Sequence, residues 1–180
     1  RDSDIDTKQY SPKRIQAHIS SLKNQRILPG EAIENANSFF DVKVAEIYAS
    51  YQQKLILANS MDFDDLLIKA VELLETSDKS LNHWSSKFKF IMIDEYQDTN
   101  MVQYRLVELL ASKHKNICVV GDSDQSIYAF RGADIRNIQE FESDFKNAKV
   151  ISLEKNYRSS QKILDIANAV ISNNPRKKDK

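Results

Sequence analysis

Three short, continuously apolar runs, Phe88–Asp94, Asn116–Asp122 and Lys149–Glu154, constrain this chain more than any other feature. Each ends in acidic or small polar residues, and helical spacing follows each: Val102, Leu106, Leu109 and Leu110, then Ile135, Ile138 and Phe141, then Ile163, Ile166, Ala167 and Val170. Continuous rather than alternating apolar runs separated by helices predict a parallel sheet covered on both faces. Three strands are few for a self-standing doubly wound domain, so the expectation is an incomplete α/β unit.

The first third carries no strand signal. Ser11 before Pro12 is an N-cap and first-turn pair, followed by Ile15, Ile19 and Leu22 at helical spacing. Pro29-Gly30 predicts a break. Phe40, Val44, Ile47, Tyr48, Tyr51 and Leu55 then form one apolar stripe up to Asn59-Ser60, and Asp62 or Ser60 caps a helix bearing Phe63, Leu66, Leu67, Ala70, Leu73 and Leu74. The boundary falls between a helical segment at 1–62 and an α/β part at 63–180.

Composition narrows the function classes. The 180 residues are 41% hydrophobic and 29% charged, an ordinary globular balance, and no run is long enough to span a membrane. Lys and Arg total 26 against 26 Asp and Glu, so binding to nucleic acid would depend on a local surface. Cys118 is the single cysteine, excluding a disulfide framework, and its apolar neighbours predict burial. His18, His83 and His114 lack metal-ligand spacing, and Trp84 is expected to pack between the helical part and the sheet. The start at Arg1 and the polar run Pro175–Lys180, with Arg176, Lys177 and Lys178, read as the ends of an excised piece.

Chemistry concentrates where the apolar runs end. Asp94 and Glu95 close the first, which would place two carboxylates at the ligand-binding edge of a parallel sheet, suited to Mg²⁺ and to orienting a water. The string alone fits equally well a strand end whose polar residues Asp98, Thr99 or Asn100 cap the next helix. After the second run, Gly121 allows a tight exit, and Gln125 offers an amide to a γ-phosphate or a water. Tyr128, Phe130 and Arg131 interleave rings with a cation, as in a platform for stacked bases or in a loop plugging a core. After the third, Arg158 could neutralise phosphate charge and Tyr157 could stack on a base, although a surface arginine at a helix start explains the former as well. The three glycines, Gly30, Gly121 and Gly132, form no G-x-x-x-x-G-K-[ST] phosphate loop.

Together these strings resemble the UvrD/PcrA/Rep-like superfamily 1 DNA helicases. Ile93 through Asn100 resembles motif II, Gly121 through Gly132 motif III, and Leu153 through Ser159 motif IV; Met61 through Leu66 resembles the segment where the helical 1B insertion returns to the motor domain. The resemblance implies an all-helical 1B-like subdomain at 1–62, then the C-terminal part of a RecA-like P-loop NTPase domain 1A at 63–180. It implies ATP and Mg²⁺ as cofactors, with Asp94 and Glu95 at the metal, Glu95 activating water, Gln125 sensing the γ-phosphate, Tyr157 stacking near adenine and Arg158 contacting the γ-phosphate. Tyr128 and Phe130 would line the single-strand track, Phe130 standing where the family often has tryptophan, and Arg131 would tie that track to the nucleotide. The implied parent is a cytoplasmic, nucleoid-associated bacterial enzyme that moves 3′ to 5′ on single-stranded DNA and opens single-strand/duplex junctions in repair or replication, alongside proteins of those pathways and away from membranes. The Walker A loop would precede Arg1 and a second motor domain would follow Lys180, so the isolated chain is expected to be inactive and its sheet prone to self-association. Two other readings stand beside this one: a non-catalytic DNA- or partner-binding module on the same scaffold, and the motor part of a RecB/AddA-type helicase–nuclease.

Overall fold

A computed structural model describes residues 10–174; Arg1 and the tail Pro175–Lys180 lie outside the described residues. Three helices build the first layer. α1 (Pro12–Asn24) begins where Ser11 Oγ accepts from Arg14 N, with Pro12 in the first turn. Pro29 opens α2 (Pro29–Glu34) instead of only breaking the chain, because its fixed φ suits the first helical position, and the Glu31 carboxylate accepts from Leu28 N at 2.8 Å. α3 (Phe39–Leu57) starts at Ser38 and ends before Asn59, whose φ of 47° turns the chain away. Tyr10, Ile15, Ile19, Ala32, Val44, Ala45 and Tyr48 form the core between them.

α4 (Phe63–Thr76) is the pivot of the molecule, packing on α1 with one side and on α6 (Met101–Ala111) with another. Asp62 and Asp65 cap its start reciprocally: Asp62 Oδ1 accepts from Asp65 N at 2.8 Å, and Asp65 Oδ2 accepts from Asp62 N at 3.3 Å. Val71, Leu74, Val102 and Leu109 make the second core, flanked by Leu67, Ile68, Leu81, Leu106 and Leu110. Leu81 belongs to α5 (Asp78–Lys87), a helix capped by Ser77 that the apolar periodicity did not announce, since its sequence is mostly polar.

A buried ammonium joins α1 to α4. Lys23, only 1% exposed, donates to Asp62 Oδ2 at 2.7 Å and to Asp65 Oδ1 at 2.8 Å. Tyr51 donates its hydroxyl to the same Asp62 oxygen at 3.0 Å. Burial pushes the Asp62 carboxyl up, but the bonds from Lys23, from Asp65 N and from Tyr51 outweigh it and hold the group below its ordinary value. Burial first, and these carboxylates second, push Tyr48 and Tyr51 up to about 12. The adjacent Asn24 accepts from Asn100 Nδ2 at 2.6 Å, and its Cβ lies 3.2 Å from where a side chain at Gly132 would begin. Asn100 in turn caps α6, accepting from Gln103 N at 2.9 Å. The last turn of α1 therefore meets both loops that leave the sheet.

β1 (Ile91–Ile93) pairs in parallel with β2 (Ile117–Val119), Ile91 opposite Ile117 and Ile93 opposite Val119, with α6 as the crossover. The third apolar run is not a strand. Residues 149–154 make no ladder, and Val150, Ile151 and Leu153 are exposed, because among the described residues no neighbouring strand offers them hydrogen bonds. Helices on both faces are likewise not observed. Ile91, Ile93, Ile117 and Val119 are half-buried, whereas Phe90, Met92 and Cys118 stand on an open face. Cys118 is thus exposed rather than buried: the two-residue pleat turns it to the uncovered side. Trp84 does not sit between the layers; it stacks on Phe88 at 5.8 Å and carries Lys87 Nζ 4.7 Å above its ring. Short helices α7 (Arg136–Gln139) and α8 (Phe141–Asp144) follow β2, and α9 (Gln161–Ile171) ends the described chain. No helix of the described residues is long and apolar enough to cross a membrane.

Replacing Lys23 by Met leaves two carboxylates facing each other without their cation, and a loss of about 3 kcal/mol in urea denaturation is expected. In the folded chain Asp62, Glu75 (bonded by Arg26 and Arg105) and Asp134 (bonded by Arg136) lie below their ordinary values of 3.8 to 4.5. A depressed carboxylate stabilises above its unfolded value and loses that contribution as pH falls through the folded one, so stability measured by thermal melts should be level above about pH 5 and decline below about pH 4.

Candidate functional site

Parallel pairing sends both strand exits to the same edge of the sheet. Val120 N donates to Ile93 O at 2.8 Å and Tyr96 N to Val120 O at 3.0 Å, so the pairing persists past the strands and brings the Asp94–Asp98 segment against the Gly121–Gln125 loop. Asp94 Oδ1 accepts from Glu95 N at 2.9 Å, while Glu95 adopts the left-handed conformation at φ 49° and opens a 3₁₀ turn, Tyr96–Asp98. Both carboxylates are exposed at this edge. Hard carboxylate oxygens are the donor type Mg²⁺ takes, one or two at a time with water and phosphate completing its shell; among the described residues no group of three or more His, Cys, Asp and Glu gathers to hold a metal ion.

The two segments are joined by Gln97, a residue that reading along the sequence passed over. Its carboxamide is 1% exposed, donates to Glu95 Oε2 at 2.8 Å and accepts from Asp122 N at 3.0 Å. Gln97 O also accepts from Ser126 Oγ at 3.2 Å. Gly121 makes the room: a Cβ there would lie 2.5 Å from Gln97 Oε1 and 2.9 Å from Ile138 Cδ1. A lone glycine at a strand exit is the sequence signal of such an approach. Gln125, in the 3₁₀ turn Ser123–Gln125, donates its amide to Asp122 Oδ2 at 2.9 Å.

Beyond this loop lies the aromatic cluster. Tyr128 and Phe130 bring their rings to 5.9 Å, and the Arg131 guanidinium sits 5.2 Å from the first and 5.5 Å from the second. Phe130 is 78% exposed and Tyr128 37%, so neither ring is buried among the described residues. Its turn closes at Gly132, φ 85°, where Arg131 N and Ala133 N both donate to Tyr128 O. Asp134 N then donates to Thr99 O at 2.9 Å and Asn137 Nδ2 to the same oxygen at 3.0 Å, fastening the end of this loop to the end of the first.

Tyr157 and Arg158 are not brought to this edge by any hydrogen bond or ion pair. Tyr157 is exposed and lies under Lys155 Nζ at 5.1 Å, and Arg158 N donates to Asn156 Oδ1, as does Ser159 N. Asp94, Glu95 and Gln125 thus share one edge with Tyr128, Phe130 and Arg131 on the loop that continues from it, and among the described residues Tyr157 and Arg158 make only local contacts.

Comparison with known proteins gives two findings. Residues 1–146 match the family described as UvrD/REP helicase N-terminal domain. All 180 residues align at 48% identity with proteins named ATP-dependent DNA helicase PcrA from Staphylococcus epidermidis and from Staphylococcus aureus. The chain spans about a quarter of the length of these curated relatives, 25% in each case.

Proposed function

Because this chain belongs to the UvrD/REP helicase N-terminal domain family, we propose that it is part of a motor in which ATP hydrolysis drives stepping, 3′ to 5′, along single-stranded DNA. The observation that carries the reading is the single sheet edge at which Glu95 and the Gln125 loop are hydrogen-bonded together, with the Tyr128–Phe130–Arg131 platform on the same loop. The helical residues 1–62 act as a 1B-like subdomain, and 63–180 are the C-terminal part of a RecA-like domain 1A. ATP and Mg²⁺ are the cofactors, single strands and single-strand/duplex junctions the DNA substrates, and repair or replication in the bacterial cytoplasm, at the nucleoid, the setting.

The division of labour follows from side-chain chemistry. Phosphoryl transfer to water requires an aligned nucleophile and neutralised charge. Asp94 and Glu95 hold Mg²⁺, which when bound neutralises phosphate charge. Glu95 accepts the proton of the attacking water. Gln125, released from Asp122, offers its amide to the γ-phosphate. Arg158 and Tyr157 reach the nucleotide only after the segment that carries them, now in solvent, is brought to the edge. Bases stack on Tyr128 and Phe130, with Arg131 between the platform and the nucleotide. The lysine of a phosphate loop and an arginine from a second motor domain complete the requirement, and these 180 residues hold no G-x-x-x-x-G-K-[ST].

The 180-residue chain should therefore hydrolyse no ATP in a coupled assay, and the reading frame upstream of Arg1 should encode G-x-x-x-x-G-K-[ST]. In the full-length product, Glu95→Gln should lower turnover by about 100-fold or more; turnover by the short chain that depends on Glu95 would sink the assignment of a divided site. Single-strand binding measured by fluorescence anisotropy should weaken with salt and lose about 1–3 kcal/mol on Tyr128→Ala. Binding indifferent to that change would remove the platform from the DNA path.

A further inference from the structure

We propose that Gln97 is a positioning residue that holds the Glu95 carboxylate and the Gln125 loop in one fixed relation, an inference that rests on the motor reading for its catalytic consequence. The geometry is that of a strut. One end of the buried carboxamide donates to Glu95 Oε2 at 2.8 Å, and, at the longer distance of 3.5 Å, approaches Asp98 Oδ2; the other end accepts from Asp122 N at 3.0 Å. Asp122 in turn holds the Gln125 amide through Oδ2 at 2.9 Å. A continuous hydrogen-bonded path therefore runs Glu95, Gln97, Asp122, Gln125.

Only a neutral carboxamide satisfies both ends. Glutamate would set a second carboxylate against Glu95, and an apolar side chain would leave the Asp122 N–H without this acceptor and sever the two loops. The orientation of the amide is fixed by the same partners, since the reverse would oppose oxygen to carboxylate and N–H to N–H. Two further features serve the strut. Gly121 leaves the space that Gln97 Oε1 occupies, 2.5 Å from where a Cβ would stand. Glu95 keeps a left-handed backbone, disfavoured for a residue with a side chain, while its carboxylate is bonded from Gln97. The strut runs through the Asp122 backbone N–H and does not need the Asp122–Gln125 bond, so a displacement of the 121–126 backbone is transmitted to the carboxylate that would handle the water even when the Gln125 amide leaves Asp122 for a nucleotide.

Two measurements test this. In the ¹⁵N-labelled 180-residue chain, the Gln97 side-chain amide protons should exchange slowly, and their signals should shift when Glu95 is replaced by Ala; signals that ignore Glu95 overturn the strut. In the full-length product, Gln97→Met should lower DNA-stimulated kcat about 10- to 100-fold, the usual cost of losing a partner that orients a site ligand, with KM for ATP within twofold. Gly121→Ala, which crowds the carboxamide while keeping every site side chain, should give the same split and covers the case in which Gln97→Met does not fold. Full activity in both variants overturns the proposal and leaves the motor reading intact, whereas absence of turnover in the unmodified full-length product overturns the motor reading itself.

Discussion

Six backbone residues set the plan of this molecule. The in-register parallel pairing of Ile91–Ile93 with Ile117–Val119 requires α6 as a crossover, and it forces both strand exits to the same edge. An antiparallel pair would have sent Glu95 and Asp122 to opposite ends of the sheet. Everything polar that follows, the Gln97 bridge, the Gly121 cradle and the fastening of Asp134 to Thr99, depends on that direction of travel.

The helical layer is held to this sheet unit by polar rather than purely apolar means. Its own core of Ile15, Ile19, Val44 and Tyr48 is separate from that of Val71, Leu74, Val102 and Leu109. Between the two lies the Lys23 ammonium with Asp62 and Asp65, and beside it the Asn24–Asn100 pair. The hydrogen bonds from Lys23 to the two carboxylates are directional, and breaking either partner would leave an uncompensated buried charge between the layers. The same carboxylates cap α4, so the start of that helix and its attachment to α1 are one structure.

What was legible in the sequence was what depends on near neighbours. Ser11-Pro12 caps its helix, Asp62 rather than Ser60 caps α4, Asn100 rather than Asp98 or Thr99 caps α6, and the apolar runs at 88–94 and 116–122 contain the two strands. The run at 149–154 misled because a strand is defined by its partner, and Cys118 because burial depends on what covers a face. α5 escaped because its helix rests on a Ser77 cap and one anchoring leucine. For the candidate site, the position of Asp94, Glu95 and Gln125 beyond the strand ends was legible, and the exposure of Tyr128 and Phe130 was decided only in three dimensions. Gln97 and Asn24 were invisible for the same physical reason: their partners Asp122 and Asn100 lie 25 and 76 residues away, and an amide in a polar string carries no periodic signature.

Asn24 has a mechanical consequence. It is bonded to the residue that starts α6 and abuts the glycine that ends the aromatic loop, so the final turn of α1 serves as a common bearing for both. Any rocking of the helical layer about that turn loads the two loops at once. The lever arm is the 13-residue α1 itself, about 20 Å long at about 1.5 Å per residue, so a small rotation at the bearing appears as a larger displacement at the Pro12 end.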